Sequence, residues 1–371
     1  AAASGPVSSP FKRLLTYSPV KKQPGRSNEL SLSLLSEASQ NLLYSTGVTR
    51  VCRRAKEIEN KPFKVLEAPG LLDDFYTSSL DWSSANVVAL ALPQTVFLWN
   101  ATTTATIEVK DPQQQSIDVQ SSKKASVASV AWRPGSKETL TVGKRGGIVQ
   151  LVDVSLLNGP SCLQVSLHTK RVGALAWSPL GDVLATGSKD QVLWLYEPRT
   201  SQQVTQVAAH KQEICGIKWE PIDGNLLSSG GNDNMLLIWD KRKFTLPLYS
   251  FSQHRAAVKA MAWSPSHKGI LVSGGGTADR RIKFWDTGVG ALLDDIDTGC
   301  QVCALHWSSN LDEVVSTHGY SQNNIVVWDA QSHAPIVSLR GHTARVLHMA
   351  ASPDGRSIVT GAGDGTLRFW H

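Results

Sequence analysis

Tryptophan is missing from the first 81 residues of this 371-residue chain, and all twelve lie between Trp82 and Trp370. An aromatic core therefore begins well inside the sequence, after Phe63. Cysteine is scarce: five residues, at 52, 162, 215, 300 and 303, an odd number without the spacing of a framework. That excludes a disulfide scaffold and predicts reduced thiols in an intracellular setting. Cys300 and Cys303 have neither a second pair nor a neighbouring His pattern, so they read as small apolar residues entering a strand rather than a zinc or redox site. No apolar run approaches the length that spans a bilayer, and the first residues carry no apolar signal core, so no membrane is expected as a partner. Acidic residues are thin in one segment. Residues 1–60 hold nine Lys or Arg against four Glu, which concentrates most of the net charge of +6 there. The near-neutral remainder is a poor nucleic-acid binder, while a basic tail can still touch acidic partners.

Residues 1–61 are rich in Ser, Pro, Lys and Arg and show no sustained periodicity, which predicts a disordered basic regulatory tail. Two apolar stretches in it, Leu14–Tyr17 and Leu32–Leu43, are short enough to act as linear docking elements. Ser9 and Ser18 each begin a Ser-Pro-x-Lys sequence, the form a proline-directed kinase reads. A phosphate adds nearly two negative charges and would reverse the local sign of the tail. Ser178, Ser264 and Ser352 also precede Pro, but at one recurring position after a strand, and read as turn residues.

From residue 62 a repeat takes over. Its clearest copy runs from Ile217 to Asp240, with strands expected at Ile217–Trp219, Asn225–Ser229 and Met235–Trp239. Trp recurs at 82, 132, 177, 219, 263 and 307, with Ala350 taken as the seventh place; the step from Trp177 to Trp219 is 42. A second series runs Trp99, Val152, Tyr196, Trp239, Trp285, Trp328 and Trp370. A period of roughly 40–45 with Trp closing short strands predicts an all-β, seven-bladed WD40 propeller over residues 62–371. Four repeats pair an upstream His with a turn Asp: His168 with Asp190, His210 with Asp233, His254 with Asp279 and His342 with Asp364. Recurrence at one position argues for buried hydrogen-bond networks rather than catalytic dyads. His306, His318 and His348 form no metal pattern, and neither an enzyme nor a cofactor is expected. The sequence stops after a third strand of blade seven, so Phe63–Ala68 is expected to supply the fourth and close the ring.

In such a ring, the loops between blades and the turns between the two middle strands share one end. Asp74, Asn232, Asn234, Thr277, Gln301 and Arg345 all fall in these loops. They offer a carboxylate, a guanidinium and several amides, which suits a peptide reader.

The residues KPFKVLEAPGLLDDFY, SSGGNDN, SGGGTADRRIKFW, DTGCQVCALHW, STHGYSQN and GAGDGTLRFW resemble the Fizzy/Fizzy-related family, the substrate-recruiting activators of the anaphase-promoting complex. The last three blades look closer to the Fizzy-related branch. The resemblance covers Pro62 to Trp370. It implies a receptor for KEN-type degrons at Asp74, Phe75, Asn232, Asn234, Thr277, Gln301 and Arg345. In that scheme Asp74 takes the peptide lysine and Arg345 its glutamate. It also implies a destruction-box groove between blades one and seven, with Leu66 as floor and Glu67 as an acidic clamp. The second clamp of the family is Gly365 here, leaving Asp364 as the nearby acid. Implied partners are the ligase's subunits, degron-bearing substrates and inhibitors, and a cyclin-dependent kinase, in nucleus and cytoplasm. The family's docking ends, a C-box and an Ile-Arg tail, do not stand in residues 1–371, so the sequence is expected to be part of a longer one. A WD40 scaffold with no ligase role is the alternative.

Overall fold

The structure, a computed structural model, describes residues 58–109, 123–156, 162–199 and 202–371. Nearly all of the expected tail, with Ser9, Ser18 and Cys52, lies outside them. The described residues form seven four-stranded antiparallel sheets, each with its first strand innermost and its last outermost except in blade seven. Blade four shows the logic. Its strands are Ile214–Trp219, Leu226–Gly231, Leu236–Asp240 and Tyr249–Phe251. The third, LLIWD, is buried at four successive positions because neighbouring blades cover both of its faces. Outer strands alternate instead, as Ala291–Asp297 of blade five does, because one face meets water.

The first two strands of blade four are longer than the sequence pattern predicts, and the second runs on through Gly230 and Gly231. A side chain at Gly230 would strike the backbone of Val258 in the next blade. Gly230 therefore lets the second strand approach the next blade, Gly231 leaves room for the His210–Asp233 pair, and both are strand residues rather than turn residues. The Trp series holds with one correction: strand pairing places Ala351, not Ala350, opposite Ile358 and Trp370, as Trp263 stands opposite Leu271 and Trp285. The Ser-Pro serines are turn residues, as the hydroxyls of Ser264 and Ser352 accept from the backbone N–H groups of His267 and Ser357.

Each His–Asp pair is built into its blade. Trp239 Nε1 donates to Ser229 Oγ at 2.9 Å, and that hydroxyl meets His210 Nε2 at 2.9 Å. His210 Nδ1 then donates to Asp233 at 3.0 Å. Asp233 also accepts from the backbone of Lys211 and Met235, so one chain of bonds ties the blade's middle to its turn. Blades five and seven repeat it through Ser273 and Thr360. Blade six substitutes His318, whose Nε2 meets Ser316 Oγ at 2.7 Å beside Trp328. Burial raises the Asp190 carboxyl, but its bond to the His168 imidazole outweighs that and holds it at about 2. The imidazoles of His168, His210 and His254 are fully covered, so none is presented to a substrate.

Ring closure follows the expected route. Lys64–Glu67 pairs with Thr366–Phe369, and the ladder extends through Phe63 N to Phe369 O and Ala68 N to Gly365 O. Leu66, expected as a groove floor, is 1% exposed and packs between the first and last blades with Leu80, Val88 and Phe369. In a strand, alternate residues take opposite faces, and pairing register decides which. Leu66→Ala should therefore cost about 2–5 kcal/mol as a cavity between the first and last blades. Urea unfolding would show this as a lower midpoint with an unchanged slope.

Candidate functional site

After the closing strand the chain crosses one end of the ring, and residues 73–76 (Asp-Asp-Phe-Tyr) touch several blades in succession. Asp73 accepts from Arg345 Nε at 2.9 Å and from Tyr320 Oη at 3.1 Å. Asp74 takes Arg171 Nη1 at 2.7 Å and Arg145 Nη2 at 3.1 Å on one oxygen, and the backbone N–H of Tyr76 on the other. Tyr76 Oη donates to Asn232 at 2.8 Å. Phe75 turns inward, 6% exposed, against Cys303 and Leu347.

Lys259 fastens this segment from below. Its Nζ donates to the carbonyls of Thr77 at 2.9 Å and Leu347 at 3.3 Å, and lies 5.3 Å from the Phe75 ring centre. Burial lowers its pKa to about 8. The inner strands of all seven blades enclose a central cavity of about 360 Å³ beneath it, with His348 and Cys303 in its wall. Burial pushes the Cys303 thiol up to about 12, so it is neutral and unreactive there. Cys300 is likewise a buried thiol, in the bend that leads into the strand Val302–Trp307, which holds Cys303.

All the residues expected on the rim stand at one end of the propeller, in loops that precede inner strands or join second to third strands. They are not all joined. Arg345 reaches Gln301 Oε1 at 3.4 Å, and Asn232 is tied to the crossing segment through Tyr76. Thr277 is exposed at the tip of a blade-five turn. Asn234 is a turn former with φ of 67°, in the left-handed region that Asn tolerates. Phe75 is a plug, not an exposed contact.

Asp74 also departs from expectation. Partial burial raises its pKa, but the Tyr76 N–H, Arg171 and Arg145 outweigh that and hold it below the usual carboxylate range. Its charge is therefore already balanced within the protein. Arg171 also grips Glu213 through Nε at 2.9 Å and Nη2 at 2.7 Å. The sequence reading passed over Asp73, Tyr76, Arg145, Arg171, Glu213 and Tyr320. A signal was present for two of them: Arg171 and Glu213 immediately precede inner strands, the place Gln301 and Arg345 hold in later blades.

At the closing edge, Glu67 is exposed beside Thr366. Asp364, expected as a substitute clamp, is committed to its own turn. It accepts from His342, Thr343 N, Thr366 N and Thr366 Oγ1, and its side chain is 7% exposed.

The architecture is that of a closed seven-bladed propeller with a polar, loop-built rim. Its sequence matches the model of the CDC20/Fizzy WD40 domain over residues 66–370. The chain is 46% identical to FIZZY-RELATED 1 of Arabidopsis thaliana over 317 residues, 85% of this chain and 63% of that protein. It is 40% identical to anaphase-promoting complex subunit cdh1 of Dictyostelium discoideum, over 92% of this chain and 47% of that one. A solved structure titled Crystal Structure of Mitotic Checkpoint Complex contains a chain that superposes with a TM-score of 0.77 at 38% identity, covering 84% of this chain and 95% of that one. The chain thus belongs to the CDC20/Fizzy WD40 family. It spans about half to three-fifths of the length of these two curated relatives.

The buried imidazoles set a pH dependence. Burial lowers His318 to about 4 and His348 well below its usual value. The unfolded chain takes up these protons near pH 6.5 and the fold does not, so the fold weakens as pH drops from about 6.5 towards 4. For His318 alone the loss at pH 4 is roughly 3 kcal/mol. The melting temperature should fall across that window, and fall less steeply in His318→Gln; parallel profiles would count against it.

Proposed function

We propose that this chain is the substrate-recognition part of an activator of the anaphase-promoting complex: a non-catalytic receptor that presents degron peptides to a ubiquitin ligase during the cell cycle. Family membership supports the ligase setting. The observation that carries the peptide reading is Arg345. Its guanidinium stands on the rim, bonded to Asp73 and near Gln301, and lies 5.3 Å from the Tyr320 ring centre. A peptide carboxylate can displace Asp73 from that fork and gain charge-assisted hydrogen bonds. Asn232 and the exposed Thr277 supply amide and hydroxyl groups for the rest of a KEN-type peptide, with Gln301, 6% exposed, behind them as a partner of Arg345. The peptide lysine would have to share Asp74 with Arg145 and Arg171.

In the same reading, a cyclin-dependent kinase acts on Ser9 and Ser18 to control attachment to the ligase, in nucleus and cytoplasm. Inhibitors that carry degrons would occupy the rim as substrates do.

Arg345→Glu should weaken a fluorescent KEN peptide by roughly 10–100-fold, the scale of charge-assisted bonds worth about 1.5–3 kcal/mol. Polarisation titration at matched melting temperature measures it, and unchanged affinity would remove Arg345 from the site. A peptide with its lysine changed to alanine that binds as well as the parent would favour the general scaffold reading, which the neutralised Asp74 supports.

The destruction-box edge gives a second test. Gly365 has φ of 71°, but Gln191, Asn234 and Arg280 hold positive φ at the matching turns of other blades. A Cβ at Gly365 would meet nothing nearer than Ala68 O at 3.6 Å. Gly365→Glu should therefore fold and place a second carboxylate near Glu67. We expect it to tighten a destruction-box peptide several-fold by adding one charge-assisted contact. No gain in affinity in a folded variant would argue against an arginine-binding role for this edge.

A further inference from the structure

Six blades end their inner strand on tryptophan: Trp82, Trp132, Trp177, Trp219, Trp263 and Trp307. These rings pack against the preceding blade. Trp263 lies with Ile238 and Phe251 of blade four, and its Nε1 donates to Lys218 O at 3.0 Å and Ser228 Oγ at 3.1 Å. Blade seven has Ala351 at this position. The strand pairings carry Lys218, Ser228, Ile238 and Phe251 onto His306, Val315, Val327 and Leu339 of blade six. All four of these line a groove of about 830 Å³ between blades six and seven, with Ala351 on its other wall. By strand register the groove stands where the other six blade junctions hold an indole, and none of the twelve Trp of residues 1–371 fills it.

We propose that it is a receptor for a tryptophan side chain presented by a partner peptide. Three observations favour that occupant. The walls are apolar, with Val315, Val327 and Leu339 standing where the seat of Trp263 has Ser228, Ile238 and Phe251. The carbonyl of His306 matches those of Ala176 and Lys218, which accept the indole N–H of Trp219 and Trp263 at 3.0 Å each. The twelve Trp of residues 1–371 are all built into blade strands, and the segment ending at Ile58, which packs against the same wall as Val315, Val327 and Leu339, brings an isoleucine there and no indole. The polar side chains of Asn310 and Arg356 at the groove suit the main chain on either side of the anchor.

The probe is N-acetyl-tryptophanamide, titrated against the whole chain by ligand-observed NMR, with N-acetyl-leucinamide and free indole as comparators. The expected result is saturable binding of the tryptophan amide, clearly weaker binding of the leucine amide, and loss of both in Ala351→Trp, whose own ring fills the seat. Val315→Ser supplies the hydroxyl that Ser228 offers Trp263, and should tighten the tryptophan amide about threefold, the effect of one added hydrogen bond. That arm decides the matter if Ala351→Trp does not fold. Any of four results would overturn the proposal: no saturable binding, equal binding of the leucine amide, binding that persists in folded Ala351→Trp, or no gain in folded Val315→Ser. Preference for free indole over the amide would overturn the peptide source.

Discussion

The backbone ladder between Lys64–Glu67 and Thr366–Phe369 is the interaction on which the rest depends. The blades are separate sheets packed face to face, and an open row would leave the outer faces of its first and last blades uncovered. Pairing the leading strand with the last blade ties the two ends of the chain together and holds the array as a ring. It also fixes where the next residues run. From Ala68 the chain must return to the inner strand at Leu80–Trp82, and the way there crosses the rim. Asp73, Asp74, Phe75 and Tyr76 are laid over the channel mouth by this geometry, and the contacts to Arg345, Arg171 and Asn232 follow from it.

The rim is stiff because the repeat beneath it is stiff. A Trp–hydroxyl–His–Asp chain of hydrogen bonds holds the turns of several blades, and Lys259 pins the crossing segment to two carbonyls. Under the proposed function, a rim held in this way would need little ordering on binding a peptide. The charges at the rim are arranged as pairs: Arg345 with Asp73, and Arg171 with Asp74 and Glu213. In the proposed function a peptide carboxylate would exchange one salt link for another, and recognition would depend on how well the peptide matches the fork.

Much of this was legible in the sequence, and for a physical reason. A blade cannot bury its faces alone, so each repeat must place a large ring, a hydroxyl and a His–Asp pair at set intervals. Recurrence at fixed spacing marks the His–Asp pairs as parts of the blade framework, where their hydrogen bonds lie. The loop end of each rim residue could also be read, because strand direction alternates within a blade. Pairings across blades could not. Asp74 meets Arg145 and Arg171 from positions 71 and 97 residues away, and no local pattern announces such a contact. The burial of Leu66 and Phe75 is hidden from the sequence for a related reason. An apolar residue between two polar ones can line a groove or fill a core, and strand register or chain path decides.

The sequence by itself determined the number of blades, the strand that closes them and the end of the ring where polar loops gather, because each follows from periodicity along the chain. Tertiary structure alone decided which of those polar groups remain available to a ligand. Asp364 and Asp74 are carboxylates in the right loops, yet one is consumed by its turn and the other by two guanidiniums. Availability depends on the surrounding partners in space, and those partners come from blades far apart in sequence.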